Sequence, residues 1–181
     1  MKRLILPILA GVVLGGIVHL VGVLLMPYVA DQDAYARLAA VGELNTVTGI
    51  DDPGVDGAVL PASDPAFVTA VCLYDLADGP VKIQVPPTDD YTSISFYTRY
   101  GLPFYAINDR SAGRSLIVLD LMTAKQRAAL PEDADVTAAD RLVVESPSLE
   151  GVVLIRALVR ERGAREQVRT RLDMARCSSA S

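Results

Sequence analysis

The residues with chemistry to offer in this 181-residue chain are few. There is one histidine, His19, and there are two cysteines, Cys72 and Cys177. A polar and aromatic group, Tyr97, Arg99, Tyr105, Asn108, Asp109 and Arg110, falls on neighbouring segments, and Asp51, Asp52, Asp56 and Asp64 crowd one stretch. A lone imidazole excludes zinc sites built on two or three histidines. His19 stands inside an uncharged apolar run, so a Ser-His-Asp triad elsewhere in the chain has no base. No glycine-rich phosphate loop or dinucleotide fingerprint occurs. The aspartates lack the fixed spacing of an EF-hand loop and read as a solvated acidic segment. The group from Tyr97 to Arg110 has two readings. One is a small pocket in which arginine grips a carboxylate. The other is a turn held by Asn and Asp side chains, with Arg110 paired to Asp109 or Asp120. The expectation is a non-enzymatic protein with no catalytic residues, metal or cofactor.

The apolar run around His19 is the strongest signal. Between Leu4 and Ala30 there is no Asp, Glu, Lys or Arg. About 20 apolar residues span a hydrocarbon core of about 30 Å, and this run is longer. A signal peptide has a shorter apolar core and a small-x-small exit; here bulky Tyr28 stands in Tyr28-Val29-Ala30-Asp31 where a small residue belongs. Residues 1–30 are therefore expected to form an uncleaved transmembrane anchor. Lys2 and Arg3 precede the run, and Asp31 and Asp33 follow it. Positive charge stays cytoplasmic, which places the residues after about 30 on the outer side of the membrane. Gly11, Gly15, His19 and Gly22 share one helical stripe. Small residues on one face let a second helix approach closely, and a polar side chain at membrane depth faces protein or water. The stripe predicts helix–helix association; in the plain alternative His19 bonds only within its own helix.

The elements after the anchor must build one domain. The chain's 17 basic residues include Lys2 and Arg3; the other 15 stand against 22 acidic residues, a net of −7, which argues against a nucleic-acid partner. Residues 31–65 read as a short juxtamembrane helix (33–44) and an irregular Gly-, Pro- and Asp-rich linker (45–65). Residues 66–181 read as a β-rich domain. The spacing predicts strands over 67–76, 81–85, 91–100, 104–107, 115–122, 142–145 and 152–159. A short helix over 123–130 is N-capped by Thr123, and residues 162–176 form a last helix with Ala164, Val168, Leu172 and Ala175 on one stripe. Tight turns leave no room for long helical crossovers, so the fold class is mostly β with flanking short helices, an antiparallel curled sheet or sandwich. From Arg156 to Arg176 seven arginines stand against three acids, which suits a solvated helix or a contact with an anionic surface. In an oxidising compartment Cys72 and Cys177 pair; otherwise they are two buried thiols.

The run Tyr74-Asp75-Leu76-Ala77-Asp78-Gly79-Pro80-Val81, then Val85-Pro86, Tyr91 to Tyr97 and Tyr105 to Asn108, resembles the bacterial family called domain of unknown function 1254. Residues 66–113 carry the likeness best. The resemblance implies a β-rich exported domain of undetermined activity. Longer members carry a second, jelly-roll-like domain, so the resemblance also implies a partner chain supplying that companion domain. It brings no catalytic residue. The expected function is an interaction module of a membrane assembly, whose partner is another membrane protein or a second copy. The alternative is a periplasmic domain that binds or senses small carboxylates near Arg99 and Arg110.

Overall fold

The computed structural model describes residues 2–29, 33–50, 58–60, 63–113, 116–130 and 142–179. The chain divides into two compact units, Met1–Asp33 and Ala34–Ser181. The first is a single helix, α1 (Lys2–Val29). Its segment Ile5–Met26 is 22 residues long, unburied, and apolar enough to cross a membrane. At 1.5 Å per residue it reaches about 33 Å.

The second unit is mostly β with short helices, as the alternation of apolar residues predicts. Its elements run α2 (Ala34–Ala39), β1 (Val47–Ile50), β2 (Phe67–Asp75), β3 (Val81–Val85), β4 (Thr92–Thr98), β5 (Pro103–Asn108), α3 (Asp109–Ala112), β6 (Ile117–Thr123), α4 (Ala124–Ala128), β7 (Leu142–Ser146), β8 (Glu150–Leu158), a 3-10 turn (Arg162–Ala164), α5 (Arg165–Leu172) and β9 (Arg176–Ser179). They form a five-stranded sheet in the order β1-β2-β8-β4-β5 and a four-stranded sheet in the order β7-β6-β3-β9. All pairings are antiparallel except β6 with β7. Neither sheet closes on itself.

The core lies between the sheets. Ala70, Cys72 and Tyr74 from β2, Ile94 and Phe96 from β4, and Val153 and Ile155 from β8 pack with Ile83 of β3, Leu119 and Leu121 of β6, and Val144 of β7. This is the period-two pattern put to work, because alternate residues of a strand share one face. A smaller cluster (Leu38, Ile50, Val71, Leu73 and Val152) seals the opposite face of the five-stranded sheet. There Leu38 brings in α2 and Tyr35 packs at the margin. Both faces of β2 and β8 are thus covered, which explains their near-continuous apolar sequences.

A disulfide joins Cys72 of β2 to Cys177 of β9, with Cα atoms 6.4 Å apart. It bridges the two sheets across the core.

Local differences from the sequence reading have tertiary causes. The segment 45–65 is not wholly irregular, because Val47–Ile50 forms β1 against β2. Asn45 makes the turn at φ 53; its side chain accepts from the Asp75 amide (3.1 Å) and donates to the Asp75 carbonyl (3.3 Å). The C-terminal tail is β9, paired with β3. Residues 109–112 form one helical turn, with Asn108 Oδ1 accepting from Ser111 N at 2.8 Å. The last helix is shorter than predicted and ends at Leu172. The helix after β6 has its expected Thr123 cap, completed by Gln126 as a capping box. That helix belongs to the connection between the parallel strands β6 and β7, a crossover the sequence reading did not foresee.

Candidate functional site

The residues of the Tyr74–Val81 motif build a polar knot inside the core. Tyr74 is fully buried on β2, facing the second sheet. Its hydroxyl donates to the Tyr97 carbonyl on β4 (3.2 Å) and lies 3.0 Å from the Ser146 hydroxyl on β7. The Ser146 hydroxyl donates in turn to the Ser148 carbonyl at 2.7 Å. Gly151 of β8 sits against this knot: a Cβ there would overlap the Tyr97 carbonyl and the Tyr74 ring and hydroxyl. Burial raises the Tyr74 phenol above its ordinary value of 10.0, and the hydrogen bonds with Ser146 and Ser148 oppose the shift. Two residues on, Gln126 of α4 donates to the Leu76 carbonyl at 2.7 Å. The motif satisfies buried polar groups and ties strands of both sheets together.

The group from Tyr97 to Arg110 is distributed along β4, β5 and α3. Tyr97 packs with the small cluster under α2. The Arg99 guanidinium lies 4.1 Å above the Tyr35 ring, a cation–π contact on that same side. The Tyr35 phenol is also raised above 10.0, by burial first and by Glu150 next, with Arg99 lowering it. Tyr105 turns the other way, its ring centroid 5.7 Å from that of Phe96. Asn108 caps α3, and Asp109 accepts from the Thr92 amide at 3.3 Å. Arg110 is exposed. Arg99 and Tyr105 therefore serve different surroundings. Among the acidic residues, Asp51, Asp52 and Asp56 lie outside the described residues, while Asp64 accepts from the Ala66 amide at 2.8 Å. Among the described residues no cluster of three or more His, Cys, Asp or Glu could hold a metal ion.

A groove of about 410 Å³ lies elsewhere, between the β3–β4 loop (Thr88, Asp89, Asp90) and the α5 side (Gln167, Val168, Arg171, Met174). Arg160 pairs with Asp90 at 2.7 Å on its rim, and Arg171 donates to the Pro87 carbonyl at 3.4 Å. Sequence reasoning missed this place. Asp89-Asp90 reads only as a strand stop and the arginines only as a charged helix face; pairing them requires the fold.

On α1, Gly11, Gly15, His19 and Gly22 fall within an arc of about 80° at 100° per residue. A Cβ built on Gly11, Gly15 or Gly22, and equally on Gly16 off this stripe, meets nothing within 4 Å.

The β unit is thus a two-sheet domain of mainly antiparallel strands with a hydrogen-bonded tyrosine in its core. The chain belongs to the family described as a protein of unknown function, DUF1254, whose model matches residues 45–178. No curated protein matches the chain. Its fold is similar to that of the VPA0106 protein from Vibrio parahaemolyticus (15% identity, TM-score 0.60), over 83% of this chain and 35% of that one. An uncharacterised protein from Burkholderia cenocepacia matches at 13% identity and a TM-score of 0.48, over 76% of this chain and 35% of its own. The chain thus spans about a third of the length of the solved structures it matches.

Proposed function

We propose that this chain is a membrane-tethered envelope protein that works as a non-enzymatic interaction module of a membrane assembly. α1 is the anchor, its N-terminus is cytoplasmic, and the β domain is periplasmic. The carrying observation is the unburied apolar helix whose open glycine face offers close approach to a second helix. Lys2 and Arg3 before the helix support the orientation. A disulfide between the sheets suits an oxidising compartment.

The test is a gentle-detergent pull-down of the full chain from native membranes, with mass spectrometry of what accompanies it. Recovery of a membrane partner or of a second copy, lost in Gly11→Leu/Gly15→Leu, is the expected result. A monomer whose behaviour the double variant leaves unchanged refutes the proposal.

A further inference from the structure

The outer face of the five-stranded sheet is apolar at one end, where Leu38, Leu73 and Val152 pack under α2. Towards the other end of the same strands stands Arg156 of β8. Strand alternation puts it on this face with Val152 and Leu154, because Val153, Ile155 and Ala157 point into the core. The register sets Thr69 of β2 on one side of Arg156 and Ser93 of β4 on the other, and Asn108 of β5 follows Ser93. Directly opposed residues have Cβ atoms about 5 Å apart, so these four side chains form one row across four strands. Every member can donate a hydrogen bond and none is an acid. The Asn108 Oδ1 is taken by the Ser111 amide, which leaves its Nδ2 as the donor.

Arg156 is the anomaly of the row. Its Nε is buried and bonds to nothing. Among the described residues no acid pairs with its guanidinium, whose Cζ lies 5.5 Å from the Phe67 ring centroid. The two terminal nitrogens are not buried, so a ligand can reach them. An arginine that has lost part of its hydration normally faces a carboxylate, because an unpaired charge in a half-dry place is costly. The ring face recovers only part of that cost. Ser93 beside it is 8% exposed and, among the described residues, its hydroxyl has no side-chain partner either.

We infer that Arg156 and its row bind the carboxylate of a small monoanionic acid with an apolar body. The inference does not depend on the interaction-module reading. The terminal nitrogens of Arg156 form a flat two-donor fork that fits the two oxygens of a carboxylate. The hydroxyls of Thr69 and Ser93 flank that fork and donate to the same oxygens. One guanidinium matches one negative charge, and the row holds no second cation for a phosphate dianion. Phe67 and Leu158, opposed to each other in β2 and β8 and half-buried on the same face, give the apolar body its place. The sequence attaches carboxylate binding to Arg99 and Arg110 instead. Arg99 stacks on Tyr35, and Arg110 is exposed on α3, so neither stands in this row.

The experiment is calorimetric titration of the full chain in nanodiscs with benzoate and with hexanoate, against empty nanodiscs. Both acids should bind, while hexylamine, hexanol and inorganic phosphate give no heat above the empty discs. Arg156→Met keeps the stem and removes the charge. It should abolish binding without lowering the melting temperature, because it also removes an unpaired, half-buried charge. Arg156→Lys keeps the charge without the fork and should weaken binding about tenfold, the loss of one charge-assisted hydrogen bond. Ser93→Ala should weaken it in the same direction and serves as the test if an Arg156 variant does not fold. Arg110→Met should leave binding unchanged. No heat from either acid overturns the inference. So does binding that survives Arg156→Met or Ser93→Ala intact, binding lost in Arg110→Met instead, or phosphate binding as tightly as benzoate. None of these outcomes bears on the interaction-module reading, which the pull-down decides.

Discussion

The disulfide allows the most quantitative prediction. Cys72 and Cys177 lie 105 residues apart in sequence, and the bond closes the chain from β2 to β9 into one loop. In the chain-entropy model a closed loop of that length removes about 16 cal/mol/K from the unfolded ensemble, or about 4.8 kcal/mol at 25 °C. Marginal domains hold about 5–15 kcal/mol in total, so reduction removes a large share of the stability. The perturbation is reduction of the wild-type β domain, residues 34–181, by a strong thiol in denaturant, followed by refolding under reducing conditions. It leaves both sulfurs in place: Cys72 is fully buried and Cys177 nearly so, so packing changes little. The assay is urea unfolding followed by far-UV circular dichroism. With a slope of about 2 kcal/mol per molar urea, the midpoint falls by about 2–2.5 M. A Cys72→Ala/Cys177→Ala variant falls further, because it also loses buried volume. A midpoint that moves by less than about 0.5 M on complete reduction would refute the reasoning, since the reduced unfolded chain would then be as constrained as the bridged one.

Two other predictions concern the polar knot. Gly151→Ala places a methyl group against the Tyr97 carbonyl and the Tyr74 ring, so it destabilises by at least the about 1–3 kcal/mol typical of overpacking, read as a lower melting temperature. Gly163→Ala, with nothing within 4 Å of its added Cβ, serves as the control and changes little. Tyr74→Phe strips the hydroxyl from Ser146 and the Tyr97 carbonyl and costs about 1–3 kcal/mol near neutral pH. The same variant alters the alkaline limb. Because folding raises the Tyr74 pKa above 10.0, the folded chain holds a proton that the unfolded chain releases. That stability is complete below pH 10 and falls as pH rises through the folded-state value. Unfolding midpoints measured from pH 8 to pH 11.5 should therefore fall less steeply in Tyr74→Phe. A residual slope comes from Tyr35, whose phenol is raised in the same direction. Equal slopes in variant and wild type would contradict the assignment.

What was legible in the sequence was whatever one segment decides alone. Val81–Val85 alternates strictly, and its burial alternates with it. Thr123 and Gln126 sit three apart, so the capping box closes within one helical turn. β1 and β9 escaped because four residues carry too little pattern; each is a strand only because β2 or β3 offers a free edge beside it. The members of the group from Tyr97 to Arg110 are close in sequence, which leaves both a pocket and a turn held by Asn and Asp side chains open. Alternation along β4, a bulge near Tyr97 and the turn into β5 send Tyr97 towards α2 and Tyr105 towards Phe96.

The sequence by itself determined the apolar helix, the β-rich class, the family and the absence of a second histidine. These follow from composition, periodicity and local motif, which need no partner in space. Only the tertiary structure decided which strands are neighbours, that Cys72 meets Cys177, and that Tyr74 and Gly151 must fit one another. Each is a contact between segments tens of residues apart, and long-range pairing is set by how two faces bury each other rather than by any property of one segment.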